Sequence, residues 1–521
     1  MKNNSQSPRP YGAPSIEEKI KGLEELGPIL ADLKSAGKTI VQCHGVFDLL
    51  HPGHIRHISE ARRQGDVLVV TITADRHVNK GPGRPVFNEA LRAETLASLE
   101  SVSFVVINDN PSAVEAIKGL RPDVYVKGGD YADSEDDITG KIIDETETIE
   151  SAGGRIHFTD DIRFSSSTLI NQNFLPFPPE TVQWLKTFRQ QRSEKEVLDA
   201  LESVSSLDVL VVGEGIVDEY VFCSGLGKAS KDPILAFLHR SVEAYAGGAY
   251  AVANHLSDFC NSVEVVTLIG ETNSHEGFIR RSLHPNVRWH PNTQPGAPTL
   301  QKRRYVDNHT GARVFELYHM DDNPLDGEVD AKVIETVNGL IEQADVVVVP
   351  DFGHGLMTPA LIDLVVEKSK FLVVNTQANA GNRGFNMISK YPRADYVCID
   401  GYEMELETRM RGSNTREILS ELTKRIDCPR FTITLGGAGS IHYERDGEFL
   451  EAPALASKVV DRVGAGDAVL AITGALVAVG TPWDIVGMVA NAAGAELVAD
   501  LGNRASLSKA NMSKHLVALL K

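Results

Sequence analysis

Two histidines flank a proline and a glycine in GVFDLLHPGHIRHI, residues 45–58. His51 and His54 are three residues apart, so on a helix they share a face. Both fall in the first turn, beside N–H groups that lack a partner within the helix. That position attracts a negatively charged group, phosphate above all. Three explanations compete. The histidines could be incidental to a helix start. They could bind a metal, although a third ligand of fitting spacing is not evident. Or the stretch is an H-x-G-H phosphate site. In that reading Gly53 lets phosphate approach the backbone and Pro52 suits the first turn. Both imidazoles then donate to oxygens that gain charge in a transition state. The strand and glycine in front of the pair supply the context this third reading requires.

A second reactive stretch is VVDRVGAGDAVLAITGAL, residues 459–476. A glycine-rich turn leads into a helix, so backbone N–H groups face an anion. Asp467 stands at the helix start, where a carboxylate can take a proton from a hydroxyl. The bland alternative is a tight turn closed by an N-capping Asp.

The elements that must position these residues alternate along the chain. TIVQCHG, DVLVVTITA, SFVVIND and VYVKG read as strands, and NEALRAETLASLE and PSAVEAIKGL read as helices. Apolar strands alternating with helices imply a parallel sheet covered on both faces. A second α/β unit, about twice as large, begins at DVLVVGEG, with strands VEVVTLIG, ADVVVVPD, KFLVVNT, ADYVCID and RFTITLG. The boundaries expected are residues 1–30 for a flexible N-terminus and its leading helix, 31–172 for the first domain, 173–205 for a proline-broken linker and helix, and 206–521 for the second domain.

A chain of 521 residues is too long for one ordinary domain. Its net charge of -19 argues against nucleic acid or an anionic membrane surface as partner, while leaving room for a local basic pocket. The five cysteines form no C-x-x-C pair, so neither a zinc site nor a disulfide framework is expected. The polar N-terminus does not read as a signal peptide, and no apolar run approaches a bilayer span. A cytoplasmic protein is expected.

The first unit resembles the cytidylyltransferase-like nucleotidyltransferases. GVFDLLHPGHIRHISEAR carries the likeness, with GRPVFNEALRAETL, VVINDNPSAVEAIKGLRPDVYVKGGDY and RFSSSTLI behind it. It is most similar to the nucleotidyltransferase half of bifunctional heptose kinase/adenylyltransferases. The resemblance implies that His51 and His54 bind triphosphate and stabilise the transition state. It matches Lys80 to a catalytic lysine after the second strand, and Gly45, Phe47 and Asp48 to the first loop. It places Lys127, Gly128, Gly129 and Asp130 near the nucleotide or sugar. It has Ser166, Ser167 and Thr168 cap the phosphates.

The second unit resembles the ribokinase-like (PfkB) sugar kinases. GEGIVDEY places Asp218 against the sugar, and AGGAYAVANHL places Gly247 and Gly248 beneath it. IDGYEMEL offers Asp400 and Glu403 for magnesium, and TLGGAGS offers Thr434, Gly436 and Gly439 to the nucleotide. The likeness implies Asp467 as base and Gly464, Ala465 and Gly466 as the anion hole. Several positions depart from the family pattern, among them Ala251, His354, Asp400, Leu435 and Asn375 to Gln377. Known bifunctional heptose enzymes carry the kinase first, and here the order is reversed.

Together these imply an α/β chain of two domains, a Rossmann-like nucleotidyltransferase parallel sheet followed by a ribokinase-like α/β sandwich. The expected function is nucleotide-sugar synthesis: phosphorylation of a sugar or sugar phosphate by ATP, then nucleotidyl transfer from ATP or CTP to a sugar 1-phosphate. The product would be ADP-heptose or a related nucleotide sugar for lipopolysaccharide, with Mg2+ as cofactor. The rival is a cytidylyltransferase making a CDP-polyol or another CDP-sugar, with a partner or degenerate kinase domain as scaffold. Family resemblance also implies a homodimer.

Overall fold

The structure is a computed structural model that describes residues 15–78, 84–128, 141–159 and 177–521, apart from 383, 413, 446 and 448. The chain divides into two compact units at Phe177.

In the first unit, β1 (Ile40–Gly45), β2 (Val67–Thr73), β3 (Phe104–Asn108), β4 (Val124–Gly128) and β5 (Arg155–Thr159) form one parallel sheet in the order β3-β2-β1-β4-β5. Successive side chains of a strand point to opposite faces. Val41, Cys43, Leu68, Val70 and Ile72 therefore pack with Ile58, Ala61, Ala93 and Leu96 of the helices Pro52–Arg63 and Glu89–Ala97. Ile40, Val67 and Val69 pack with Leu26 and Leu30 of the helix Leu23–Ser35. Both faces are covered, which is why VLVVTIT is buried throughout and apolar but for Thr71 and Thr73. Ile58 is fully buried, and its burial contributes about 2 kcal/mol to holding the histidine helix on the sheet.

The chain leaves β1 towards β2 and β3, then returns to the other side of β1 as β4. Ligands of open α/β sheets bind beyond the strand C-termini at such a reversal. The helix Lys141–Ser151 and β5 were absent from the expected elements. RIHFT is an edge strand with only Thr159 fully buried, so its pattern is too mixed to stand out.

The second unit is built on a nine-stranded sheet among the described residues. Its order is Val287–Pro298, Ser262–Thr272, Asp208–Val212, Val346–Asp351, Leu372–Thr376, Tyr396–Asp400, Arg430–Thr434, Ser440–Glu444, Phe449–Ala452. The first seven pair in parallel and the last two antiparallel. The helix Ala465–Ala478 is buried continuously from Ala468 to Val477, as an all-round apolar helix must be. A smaller four-stranded sheet has the order Arg313–His319, Gln301–Asp307, Gly215–Lys228, Leu235–Gly248. It was not expected from the sequence. Asp218, Glu219, Lys302, Arg303 and Arg304 interrupt its apolar residues and blur the alternation that marks a strand.

Before the sheet, the helices Pro179–Gln191 and Glu194–Ser203 bury Leu185, Phe188, Val197 and Leu201. Arg192 joins them to Asp484 through a two-pronged pair, at 2.6 and 3.0 Å. No described helix is long and apolar enough to cross a membrane.

Candidate functional site

The first site lies at the reversal between β1 and β4. His51 caps the helix Pro52–Arg63, and its Nδ1 accepts the Gly53 N–H at 3.1 Å. In the neutral ring this leaves the proton on Nε2, free to donate. Burial lowers the His51 pKa, so the ring is neutral near pH 7. The His51 and His54 rings stack with centroids 4.0 Å apart. The shared face expected from their spacing is therefore formed. The Gly53 N–H serves His51 and fixes that ring.

Phe47 holds a positive φ of 48°, and its ring lies 5.4 Å from that of His54. A Cβ on Gly45 would come within 3.1 Å of the Phe47 ring, so the glycine makes room for it. Asp48 is 6 % exposed and accepts from Arg84 Nη1 at 2.9 Å and from the N–H groups of Val86 at 2.7 Å and Phe87 at 3.1 Å. In this structure it fastens a neighbouring loop. Arg92, which sequence reasoning did not single out, is buried beneath that loop. It donates to the carbonyls of Val46, Thr73 and Phe87 and to Asp75. The signal available was a lone arginine inside the apolar stripe of NEALRAETL.

At the end of β4, Lys127 pairs with Glu145 at 2.9 Å, and Tyr125 Oη donates to the same carboxylate at 2.9 Å. Burial acts to raise the Glu145 pKa, but Lys127 outweighs it and holds the carboxyl below its ordinary range. Gly128 ends the strand. His57, two turns into the helix, meets Thr159 at 3.1 Å, and burial pushes its pKa down to about 4. Lys80, Gly129, Asp130, Ser166, Ser167 and Thr168 lie outside the described residues.

The second site gathers around Asp467. Gly464, with φ of 84°, caps the helix Ala465–Ala478 and turns the chain so that Gly464, Ala465 and Gly466 form its N-terminus. Burial, reinforced by the nearby Asp218, pushes the Asp467 pKa up to about 7, with Lys302 acting in the opposite direction. Asp218 is 4 % exposed and ion-paired to Arg304, which also reaches Glu316 at 2.6 Å. A Cβ on Gly247 would run into the Asp218 carboxylate. Gly248, at φ of 60°, lets the strand pass straight into the helix Ala249–Ser257. Asp218, Gly247, Gly464 and Asp467, singled out from the sequence, thus lie together in the fold.

Lys302 was missed. It is 4 % exposed, and its ammonium lies 5.0 Å from the Tyr318 ring centre and 5.7 Å from that of Phe352. Among the described residues it makes no ion pair, and burial lowers its pKa. A buried ammonium without a carboxylate partner is suited to an anionic ligand. QKRRY, a basic run within a strand, was the available signal. Glu214 was also passed over. It accepts the N–H groups of Phe352 and His354, each at 3.0 Å, and burial together with Asp351 raises its pKa to about 7.

Asp400 and Glu403 form a capping box at the helix Gly401–Thr408. Glu403 accepts the N–H groups of Asp400 at 2.8 Å and Ala378 at 2.9 Å, and burial raises its pKa to about 7. Among the described residues no cluster of three or more His, Cys, Asp or Glu could hold a metal ion. The residues fit magnesium carried on nucleotide phosphates and touched by one or two carboxylates. Thr434 ends its strand opposite Ser440, and Gly436 and Gly439 take φ of 55° and 97° in the turn between them.

Both candidate sites belong to α/β units. The family model of pfkB family carbohydrate kinases matches residues 206–510, and the chain belongs to that family. A cytidylyltransferase-like model matches residues 43–173. The chain is similar to "Bifunctional protein HldE" of Syntrophotalea carbinolica, at 39 % identity over 167 residues, 32 % of this chain and 33 % of that one. It is similar also to "Bifunctional protein HldE" of Geotalea uraniireducens, at 42 % over 162 residues, 31 % and 32 % of the two chains. The match falls in the cytidylyltransferase-like region and spans about a third of the length of these curated relatives. Among solved structures, phosphofructokinase-2 from Escherichia coli with substrates and products aligns at 14 % identity and a TM-score of 0.49, over 61 % of this chain and 100 % of that one.

Proposed function

We propose that the chain is a bifunctional enzyme of nucleotide-sugar synthesis. Its second unit phosphorylates a sugar phosphate with ATP, and its first transfers a nucleotidyl group to a sugar 1-phosphate, giving ADP-heptose or a related nucleotide sugar. The observation that carries this reading is the stacked His51–His54 pair at the sheet reversal, in a chain that also sets Asp467 at a glycine turn.

In the first unit, an oxygen of the sugar 1-phosphate attacks the α-phosphorus of the nucleoside triphosphate. The bond to the β-phosphate breaks, and pyrophosphate leaves. His51 and His54 donate to the phosphate oxygens as charge grows on them, and no protein nucleophile is required. In the second unit, a sugar hydroxyl attacks the γ-phosphorus and passes its proton to Asp467 while ADP leaves. The N–H groups of Gly464 to Gly466 receive the charge. Asp400 and Glu403 would hold magnesium, which would neutralise charge on the phosphates. The free Lys302 ammonium supports an acceptor that is itself anionic.

The enzyme works in the cytoplasm, in keeping with five cysteines that are all buried and free. It is a homodimer, supported by the exposed apolar side chains Leu235, Leu238, Val242, Phe315 and Leu317 on the four-stranded sheet.

The test is pyrophosphate release by the purified chain, with ATP and CTP supplied separately against a panel of sugar 1-phosphates that includes heptose 1-phosphate. Release with ATP and heptose 1-phosphate is expected, and His54→Ala should lower it about 10²-fold or more. Release with CTP alone, or with none of the panel, would sink the heptose assignment.

A further inference from the structure

The four-stranded sheet and the glycine turn meet at one buried carboxylate. Asp461 lies three residues before Gly464 and is 4 % exposed. Its Oδ1 accepts the Val463 N–H at 3.0 Å and a donor from Arg313. Its Oδ2 accepts from Tyr220 Oη at 3.0 Å and the Gly502 N–H at 3.1 Å. Two of the four donors are backbone groups of the loops around the turn. The other two come from the sheet, Tyr220 on the strand Gly215–Lys228 and Arg313 on the strand Arg313–His319.

A second contact reinforces the first. Asn503 follows Gly502, and a Cβ on Gly464 would collide with its side chain. A Cβ on Gly247, at the end of the strand Leu235–Gly248, would come within 3.4 Å of Asn503 Nδ2. A Cβ on Gly502 would meet Tyr220 Oη at 3.0 Å. Three of the four strands therefore touch this joint. The same sheet carries Asp218 and Lys302, whose charges act on Asp467 from opposite directions.

We infer that Asp461 is a positioning residue for phosphoryl transfer: through Arg313 and Tyr220 it locks the sheet that presents Asp218 and Lys302 to the turn that presents Asp467. The inference rests on the kinase reading of this unit. Seating the sheet and ordering the turn become one event, because a sheet that lifts away withdraws two of the four bonds that hold the Val463 and Gly502 loops. Arg313 is a suitable probe. Its side chain is 43 % exposed, and without it Asp461 still accepts from Tyr220 Oη and the Val463 and Gly502 N–H groups, so the carboxylate is not left bare. Its loss should register in the geometry of the site.

The full chain would be compared as wild type, Arg313→Gln and Arg313→Lys. One readout is amide exchange at Val463 and Gly502. The other is steady-state phosphoryl transfer from ATP to heptose 7-phosphate. In Arg313→Gln both amides should exchange about tenfold faster. Its kcat should fall about 10²-fold while KM for ATP stays within about twofold, as misplacement of reacting groups predicts. Arg313→Lys should restore most of both. Unchanged exchange in Arg313→Gln, or a loss of turnover that Arg313→Lys does not relieve, would overturn the inference. A wild-type chain that transfers no phosphate would defeat the kinase reading instead, and the exchange comparison would still decide the joint.

Discussion

At the scale of single residues, Asp467 carries opposing demands. A carboxylate held near a pKa of about 7 is a better proton acceptor at neutral pH than an ordinary one. The same shift costs stability. Below the unfolded pKa both states are protonated and nothing is lost. As pH rises from about 4 the unfolded carboxyl ionises first, and the penalty grows until the folded group ionises near pH 7. Asp467→Asn should therefore abolish phosphoryl transfer yet raise the melting temperature at pH 8, with the gain disappearing below about pH 4. Thermal unfolding across that range checks it, and an unchanged or lowered melting temperature at pH 8 would contradict it. Asp467 and the histidine pair were legible in the sequence because each sits beside its glycine turn or helix start. Lys302 and Asp461 were not, since the aromatic rings around the one and the donors on the other lie far along the chain.

At the scale of elements, the loop after β1 depends on its neighbours for its shape. Asp48 and Arg84 are a buried pair, with side chains 4 % and 2 % exposed. Removing one partner of such a pair leaves a charge buried alone and costs about 3 kcal/mol or more. Asp48→Ala should lower the unfolding free energy of the first unit by that amount, read from its denaturant midpoint and m-value. A loss under about 1 kcal/mol would mean that the loop is fastened chiefly by Arg92. Family resemblance implied a nucleotide-side role for Asp48, as part of the first loop. The structure shows it occupied by Arg84, Val86 and Phe87, contacts that span a gap no local pattern reveals.

At the scale of the whole molecule, exposed apolar side chains concentrate on one small sheet. Phe315 is 49 % exposed and Leu238 43 %. Phe315→Glu combined with Leu238→Glu should convert the proposed dimer to a monomer in sedimentation velocity at micromolar concentration. A wild-type chain that already sediments as a monomer would remove the dimer from the proposal. The net charge of -19 adds a further contrast, because the kinase site sets Lys302 and Arg304 inside an acidic protein. Whole-chain charge reports on bulk partners and not on one pocket.

Local sequence determined the parts of this protein that depend on neighbours along the chain. The apolar runs of β2 and Val346–Asp351 read as strands buried on both faces, and HPGH and GAGD read as helix starts under tight turns. Fold class followed from those stretches, and the two candidate sites were read on them. Tertiary structure alone decided which groups hold the sites in shape. Arg92 under the β1 loop, Glu145 on Lys127, and Tyr220 and Arg313 on Asp461 join residues separated by 18 to 241 positions. Spacing along a chain carries no record of such pairs, because they form only when separate elements pack together.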